Sequence, residues 1–300
     1  MTASRAIRTG ALVVALAAVA VLAGLAAGGG PADAASPTYV EANVTEDATW
    51  TADDGPYVVT TDVTVADGAT LTVEAGTTVY AGEGVTVTVA GSLLAEGTAD
   101  RPVAFTTQQP NPDAGAWNTI RYVGDGDSRL RLANATVEYA NTAVSVDSTA
   151  GSVTVADSTL REHVRAGVLA TERGGTPRLR VVRSTITDTG YAGVAAVVPA
   201  TDPHVDRVRN VAVRDSDFED TGQYGLLVRA RHVGRVSFTG GSVTGFDAGG
   251  VVVSTGQRVA DVPTANTRSV TDLAVESATL ADGAGPGISV ESGHLDDVSL

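Results

Sequence analysis

The chain has 300 residues, 43% of them hydrophobic and only 4% aromatic, so a sizeable core must be built from Val, Leu, Ile and Ala. It carries 35 acidic residues against 20 basic ones, all of them Arg, and no Cys. The net charge of −15 argues against a nucleic-acid-binding protein, and the lack of Cys excludes disulfides and thiolate metal sites. The acidity fits either a high-salt (halophile) habitat or the codon bias of a GC-rich genome, and the sequence does not separate the two.

The N-terminal segment has the pattern of a secretory signal peptide. Arg5 and Arg8 precede an apolar run over 11–27, and small residues follow over 28–35. We therefore predict a cleaved signal over 1–35 and a secreted or cell-surface protein without stable membrane insertion after cleavage. The alternative is a retained anchor, although the apolar run is at the short end for a membrane span.

Residues 36–56 are predicted as an N-terminal lead-in and cap, and 57–300 as the main structural unit. Two Asn-x-Ser/Thr sequons, at Asn43 and Asn134, predict N-glycosylation of an exported chain. The alternative is chance occurrence, because Thr is common in this sequence.

The segment 62–84 alternates apolar and small polar residues around Asp67-Gly68. Such a dipeptide between alternating strands is the usual signal of an antiparallel hairpin. The same pattern also fits a corner, after which the chain does not return to pair with the preceding strand. The later part of the chain decides between the two.

Six segments after residue 130 repeat one pattern of apolar residues. An apolar residue, called x here, is preceded five positions earlier by another, and in five copies it is followed by Gly at x+7 and an aliphatic residue at x+8. The x residues are Val137, Leu160, Ile186, Phe218, Val243 and Leu280. Their spacings of 23, 26, 32, 25 and 37 residues place the length variation in loops at one corner, such as 199–206 and 256–268.

A constant unit with the same inward positions favours a coil, in which each strand pairs in parallel with its equivalent one coil away. Asp67-Gly68 is then a corner, and each repeated Gly marks a place where φ is positive or a side chain would clash. The units "STITDTGYAGVAA" and "GATLTVEAGTTV" resemble those of right-handed parallel β-helix repeat proteins with the pectate-lyase-like fold. The fold class predicted is all-β, a right-handed parallel β-helix, open or truncated at the C-terminus because Leu300 begins a coil that is not completed.

This resemblance implies a fold that hosts lyases, hydrolases, epimerases and non-catalytic surface proteins, so the site must be argued separately. Uronate epimerases of the fold carry an Asp-Pro-His-Asp motif. Asp202, Pro203 and His204 match its start, Val205 departs from it, and Asp206 follows. Asp202, His204 and Asp206 are therefore catalytic candidates, and the alternative is an ordinary Asp-Pro turn.

Two further sets of residues follow from the repeat. Glu162, Asp188 and Asp220 stand at x+2 on three successive coils, and so predict either a carboxylate ladder that binds calcium or a solvated turn. No other cofactor is expected.

Clustered Arg residues on three coils predict a surface for an anionic polysaccharide, with an Arg–Asp ion network as the alternative. The residues are Arg178, Arg180, Arg207, Arg209, Arg229 and Arg231.

The function predicted from the sequence is an exported, non-catalytic surface module that binds polysaccharide or a cell-surface glycan, without nucleic acid. The alternative is a polysaccharide lyase, epimerase or hydrolase that acts on an acidic polysaccharide.

Overall fold

The computed structural model describes residues 36–171, 175–198, 207–255 and 268–300. Every regular element in these ranges is a β-strand, so the described residues contain no helix that could cross a membrane. The strands are β1 (Thr38–Val40), β2 (Ala48–Trp50), β3 (Tyr57–Val59), β4 (Val63–Val65), β5 (Thr70–Glu74), β6 (Thr78–Ala81), β7 (Thr86–Val89), β8 (Ser92–Glu96), β9 (Val103–Thr106), β10 (Thr119–Tyr122), β11 (Arg129–Ala133), β12 (Ala135–Glu138), β13 (Val144–Val146), β14 (Ser152–Ala156), β15 (Thr159–His163), β16 (Ala166–Ala170), β17 (Arg178–Val182), β18 (Thr185–Thr189), β19 (Ala192–Val197), β20 (Arg207–Arg229), β21 (His232–Ser254), β22 (Ser269–Glu276), β23 (Thr279–Ala281), β24 (Ile288–Glu291) and β25 (Leu295–Ser299).

The strands fall into three parallel ladders, which we call sheets A, B and C. Sheet A contains β2, β5, β8, β11, β14, β17, β22 and β25. Sheet B contains β1, β3, β6, β9, β12, β15, β18 and β23. Sheet C contains β4, β7, β10, β13, β16, β19 and β24. The long strands β20 and β21 pass through all three sheets in turn.

The predicted repeat is confirmed residue by residue. The x residues pair along sheet B, since Leu160 lies opposite Val137 and Ile186. The residues at x−5 pair along sheet A, as Val155 does with Leu132 and Val181, and the residues at x+8 pair along sheet C. All these side chains point inward and form one continuous apolar core, which no single coil could bury alone.

The segment around Asp67-Gly68 is a corner and not a hairpin. Strand β4 pairs with β7, and β5 pairs with β2 and β8, all in parallel. Gly68 adopts φ +76°, which explains the turn residue. The coil register also begins earlier than residue 57, because β1 and β2 already pair within sheets B and A.

Four of the five repeated Gly residues are required by close packing and not by a left-handed backbone. A Cβ on Gly193 would lie 2.9 Å from the carbonyl oxygen of Gly225, and one on Gly225 would lie 2.6 Å from that of Gly250. Gly167, Gly193, Gly225 and Gly250 thus let their coils approach the next coil, so a clash and not a positive φ explains these four positions. At Gly287 the nearest atoms lie 3.4 Å from the Cβ position, so packing does not require a Gly there.

Length variation is confined largely to the corner that leads from sheet C to sheet A. The three internal segments outside the described residues, 172–174, 199–206 and 256–267, all follow a C strand and precede the next A strand in the sequence. A long described loop, 107–118, lies at the corner from sheet B to sheet C. These corners border the outer face of sheet C.

Candidate functional site

A polar trough of about 410 Å³ runs along the outer face of sheet C. Its floor consists of outward residues of strands β7, β10, β13 and β16, and its two rims are the corners on either side of the sheet. The lining residues are Asp62, Thr86, Thr88, Asn118, Thr119, Arg121, Asn141, Thr142, Ser145, Asp147, Arg165, Leu169 and Thr171. With neighbouring strands ~4.8 Å apart, the trough extends over roughly 15–20 Å parallel to the coil axis.

Strand alternation explains why the floor is polar. In β7, Val87 and Val89 point into the core, so Thr86 and Thr88 face outward. Register places Thr88 opposite Arg121, and Arg121 opposite Ser145. The same outward column therefore presents a hydroxyl, a guanidinium and a second hydroxyl on successive coils.

Several trough side chains are held in place by hydrogen bonds. The side-chain amide of Asn118 donates to the Thr86 hydroxyl at 2.8 Å, and the Thr86 backbone N–H donates to the Asp62 carboxylate at 2.8 Å. The Arg121 Nε donates to Asp147 at 2.6 Å in an ion pair. Both carboxylates of the trough are thus already engaged by protein groups.

A buried apolar cluster lies at the end of the trough. In the outward column of sheet C, Ser145 is followed by Leu169, Ala195 and Leu227 on the next three coils. These three residues are buried in a separate apolar cluster, against which Tyr191 and Tyr224 pack.

The two Tyr rings lie edge to face with their centroids 5.8 Å apart, and both rings remain half-buried. Burial raises the pKa of the Tyr191 phenol. On the rim, the backbone N–H of Arg165 donates to the carbonyl oxygen of Asn141, and the backbone N–H of Tyr191 donates to the carbonyl oxygen of Arg165. The side chains of three successive coils there are therefore an amide, a cation and an aromatic ring.

The six Arg residues predicted as a ligand surface do not share one face. Arg178, Arg180, Arg207 and Arg209 lie on the outer face of sheet A and are exposed. Arg229 lies instead on sheet C, opposite Val197, and Arg231 lies at the corner beyond it with its Nε buried and without a hydrogen-bond partner. This part of the prediction was wrong because the stretch 229–235 crosses a corner.

The acidic ladder has a backbone explanation. Glu162, Asp188 and Asp220 adopt φ of 60°, 53° and 49°, and the equivalent Gly245 and Tyr139 also have positive φ. Asp and Gly are among the residues that tolerate this left-handed conformation best. The positive φ of these positions is what favours the turn interpretation. Among the described residues, no three His, Asp or Glu side chains are grouped so that they could hold a metal ion.

The remaining candidates differ in accessibility. Asp202, His204 and Asp206 lie outside the described residues. Asn43 is exposed, and its side-chain oxygen accepts a bond from the Thr64 backbone N–H at 2.8 Å. Asn134 is half-buried at a left-handed turn position, and its amide nitrogen donates to Gly97 at 3.2 Å, so glycosylation there would break a bond.

One buried polar column lies inside the coil, at the end of sheet B. His163, Thr189 and Thr221 stand at x+3 on successive coils, and all three are buried. His163 Nδ1 lies 3.4 Å from the Ala140 carbonyl oxygen, whereas its Nε2 and both Thr hydroxyls have no protein partner. Burial lowers the pKa of His163 to about 4, so this imidazole is neutral at pH 7.

Residues 42–163 match a family model described as a pectate-lyase-like beta helix domain. The described residues form a right-handed parallel β-helix, and its segment 42–163 is similar to the pectate-lyase-like family. The coil register of this β-helix continues beyond the matched segment to β25, and most of the trough lies within the match. No curated protein and no solved structure matches the chain significantly.

The trough was missed by the sequence reasoning, which concentrated on acids and on Arg clusters. Its signal was present in the outward positions of the early coils, where Thr86, Thr88 and Ser145 alternate with core Val residues. That pattern is shared by any polar sheet face. Only the rims, contributed by residues far apart in the repeat unit, distinguish a trough from a flat surface.

Proposed function

We propose that this β-helix is an exported surface module that binds a glycan along the trough of sheet C without cleaving it. The observation that carries the proposal is the lining of hydroxyl, amide and guanidinium groups. Beyond its end at Arg165, the next two coils carry a pair of half-buried Tyr rings. Sugars present hydroxyl groups at their edges and C–H groups on their faces, so both parts of such a surface have a partner on the ligand.

The non-catalytic character is supported by the state of the two trough carboxylates. Asp62 accepts a backbone bond, and Asp147 pairs with Arg121 and lies 3.4 Å from the Thr171 hydroxyl. An acid–base pair for glycoside hydrolysis needs two carboxyl groups that flank the scissile bond, whereas both of these carboxyl groups are engaged by protein groups.

Binding is tested with purified protein on an array of neutral and acidic glycans. We expect Asn141→Ala with Arg165→Ala to weaken binding of the best glycan more than tenfold, because a hydrogen bond to a charged group is worth about 1.5–3 kcal/mol. Arg161→Ala with Arg183→Ala, on sheet B and at the corner that precedes it, is the control and leaves that binding unchanged. Unchanged binding in the trough variant, or no glycan bound at all, would refute the proposal.

The enzymatic alternative is tested on the same polymers. Pectate, alginate and neutral polysaccharides are incubated with the protein, and new unsaturated uronate absorbance and new reducing ends are measured. We expect neither signal above that of a heat-denatured control. Turnover that Arg165→Ala abolishes would instead identify a lyase or hydrolase.

Export is tested by expressing the full chain with its first 35 residues intact. We expect the protein in the medium or at the cell surface, with a mature N-terminus at Ala35 or Ser36. A protein retained in the cell with Met1 still present would refute the signal peptide.

A further inference from the structure

Basic residues are segregated onto one outer face of this acidic protein. Five successive strands of sheet A, including the first parts of β20 and β21, contain no Asp or Glu between their ends. They contain eight of the chain's 20 Arg residues, which are Arg129, Arg131, Arg178, Arg180, Arg207, Arg209, Arg214 and Arg235. The strands on either side, β8 and β22, carry Glu96, Asp272 and Glu276 again.

Four of these Arg residues form a rectangular array. In one outward column Arg129 lies opposite Ser152, which lies opposite Arg178. In the next column, Thr154 stands between Arg131 and Arg180 in the same way. Residues two apart on a strand are ~7 Å apart, and coils two apart are separated by about 9.6 Å, so the array measures roughly 7 by 10 Å.

The cations of this array are available to a ligand. Arg129, Arg131, Arg178 and Arg180 are all exposed, and none of them forms an ion pair within the described residues. By contrast, Arg121, Arg161 and Arg183 elsewhere in the chain each pair with a carboxylate.

The same face continues into a small pocket of about 200 Å³. It is lined by Arg207 and Arg209 together with His232, Ser269 and Thr271. Gly234 lies opposite Arg209 and leaves the floor open, while His232 Nδ1 and the Ser269 hydroxyl are 3.2 Å apart. Cationic and hydroxyl groups therefore extend over further coils in the same direction.

We infer that sheet A binds a linear anionic polysaccharide that lies parallel to the coil axis. Guanidinium groups suit carboxylate and sulfate groups, because they donate two parallel hydrogen bonds. The interval of about 9.6 Å between the Arg residues of β11 and those of β17, with the hydroxyl groups of β14 between them, fits a polymer that carries its charge on every second sugar. The net charge of −15 disfavours polyanions in general, so a face without carboxylates is the one best suited to bind them. This site is separate from the trough of sheet C and does not depend on the function proposed there.

The decisive variant is Arg131→Thr with Arg180→Thr, because Thr154 already occupies the same column between them. The control, Arg161→Thr with Arg229→Ser, removes the same charge from other faces. The probes are hyaluronan, which carries one carboxylate on every second sugar, polygalacturonate, which carries one on each, and duplex DNA. Dissociation constants are measured at low and at physiological salt.

We expect the wild type and the control to bind hyaluronan more tightly than polygalacturonate or DNA, and more weakly as salt rises. The array variant should lose at least tenfold in affinity and retain its glycan binding in the trough. Equal binding by array variant and wild type, or no hyaluronan binding at low salt, would overturn the inference. Equal affinity for all three probes would indicate unspecific attraction of polyanions, and a salt-sensitive dimer that the array variant abolishes would indicate a second copy as the partner. Either result also overturns it.

Discussion

The buried His163 makes the stability of the β-helix depend on pH between about 4 and 6.5. The imidazole is 1% exposed, and burial lowers its pKa from 6.5 to about 4. In the unfolded chain the pKa returns to about 6.5, so between these values the unfolded state binds more protons than the folded state. Folding stability that is present above pH 6.5 is therefore lost as the pH falls towards 4.

The size of this loss follows from the shift. One pKa unit corresponds to about 1.4 kcal/mol, so His163 should cost about 2 kcal/mol of stability at pH 5 and about 3 kcal/mol at pH 4. The substitution His163→Phe removes the titration, and Phe246 already occupies the equivalent position three coils later. The exposed His294 supplies the control His294→Asn.

Urea unfolding of the three proteins is followed between pH 7.5 and 4. We expect the wild type and His294→Asn to lose stability together, whereas His163→Phe should lose about 3 kcal/mol less over the same range. Only the pH dependence is compared, so a general effect of the Phe ring on packing does not matter. Equal slopes for His163→Phe and wild type would refute the assignment of a neutral, poorly solvated imidazole.

Three further outcomes are expected. Gly225→Ala should destabilise the protein by about 1–3 kcal/mol in thermal unfolding, because the new Cβ would meet the next coil. Gly287→Ala should be close to neutral, because the nearest atoms lie 3.4 Å from the Cβ position. Equal losses of stability in the two variants would contradict the packing argument. Asp188→Gly should be tolerated, whereas Asp188→Val should lower stability by about 1–2 kcal/mol, because position 188 has a left-handed φ. A calcium titration of the wild type should give no heat and no change in melting temperature. Calcium binding that Asp188→Gly abolishes would instead support the calcium-binding interpretation of these acidic residues. In a host that glycosylates secreted proteins, mass spectrometry should find a glycan on Asn43 and none on Asn134, and the reverse pattern would show that the Asn134 bond is easily broken.

The fold could be predicted because the core positions repeat in register. A residue such as Ile186 has an equivalent one coil before and one coil after, and parallel pairing makes that equivalence a physical contact. The corner at Gly68 could not be assigned from its own neighbours, since the local pattern is the same in a hairpin. Only the long-range repeat excluded the hairpin.

The surfaces were less predictable because side chains on different corners meet only after the coil has closed. Arg129 and Arg131 stand about 50 residues before Arg178 and Arg180, and the intervening coil carries no Arg on sheet A, so their common face is not visible as a cluster in the sequence. Conversely, Arg229 and Arg231 are close to Arg235 in the sequence but lie beyond a corner from it. For this fold, the position within the repeat determines the face, and proximity in the sequence does not.

Each coil of the β-helix contributes one strand to sheet A, one to sheet B and one to sheet C. The coil is therefore the unit by which the binding surfaces can become longer or shorter. Each strand pairs only with its equivalents one coil before and one coil after, so gaining or losing a whole coil leaves every other contact unchanged. Such an event adds or removes one step of ~4.8 Å on all three faces at once. Ligand length would then be selected in whole steps through coil number, while the chemistry of each step is set by a few outward residues.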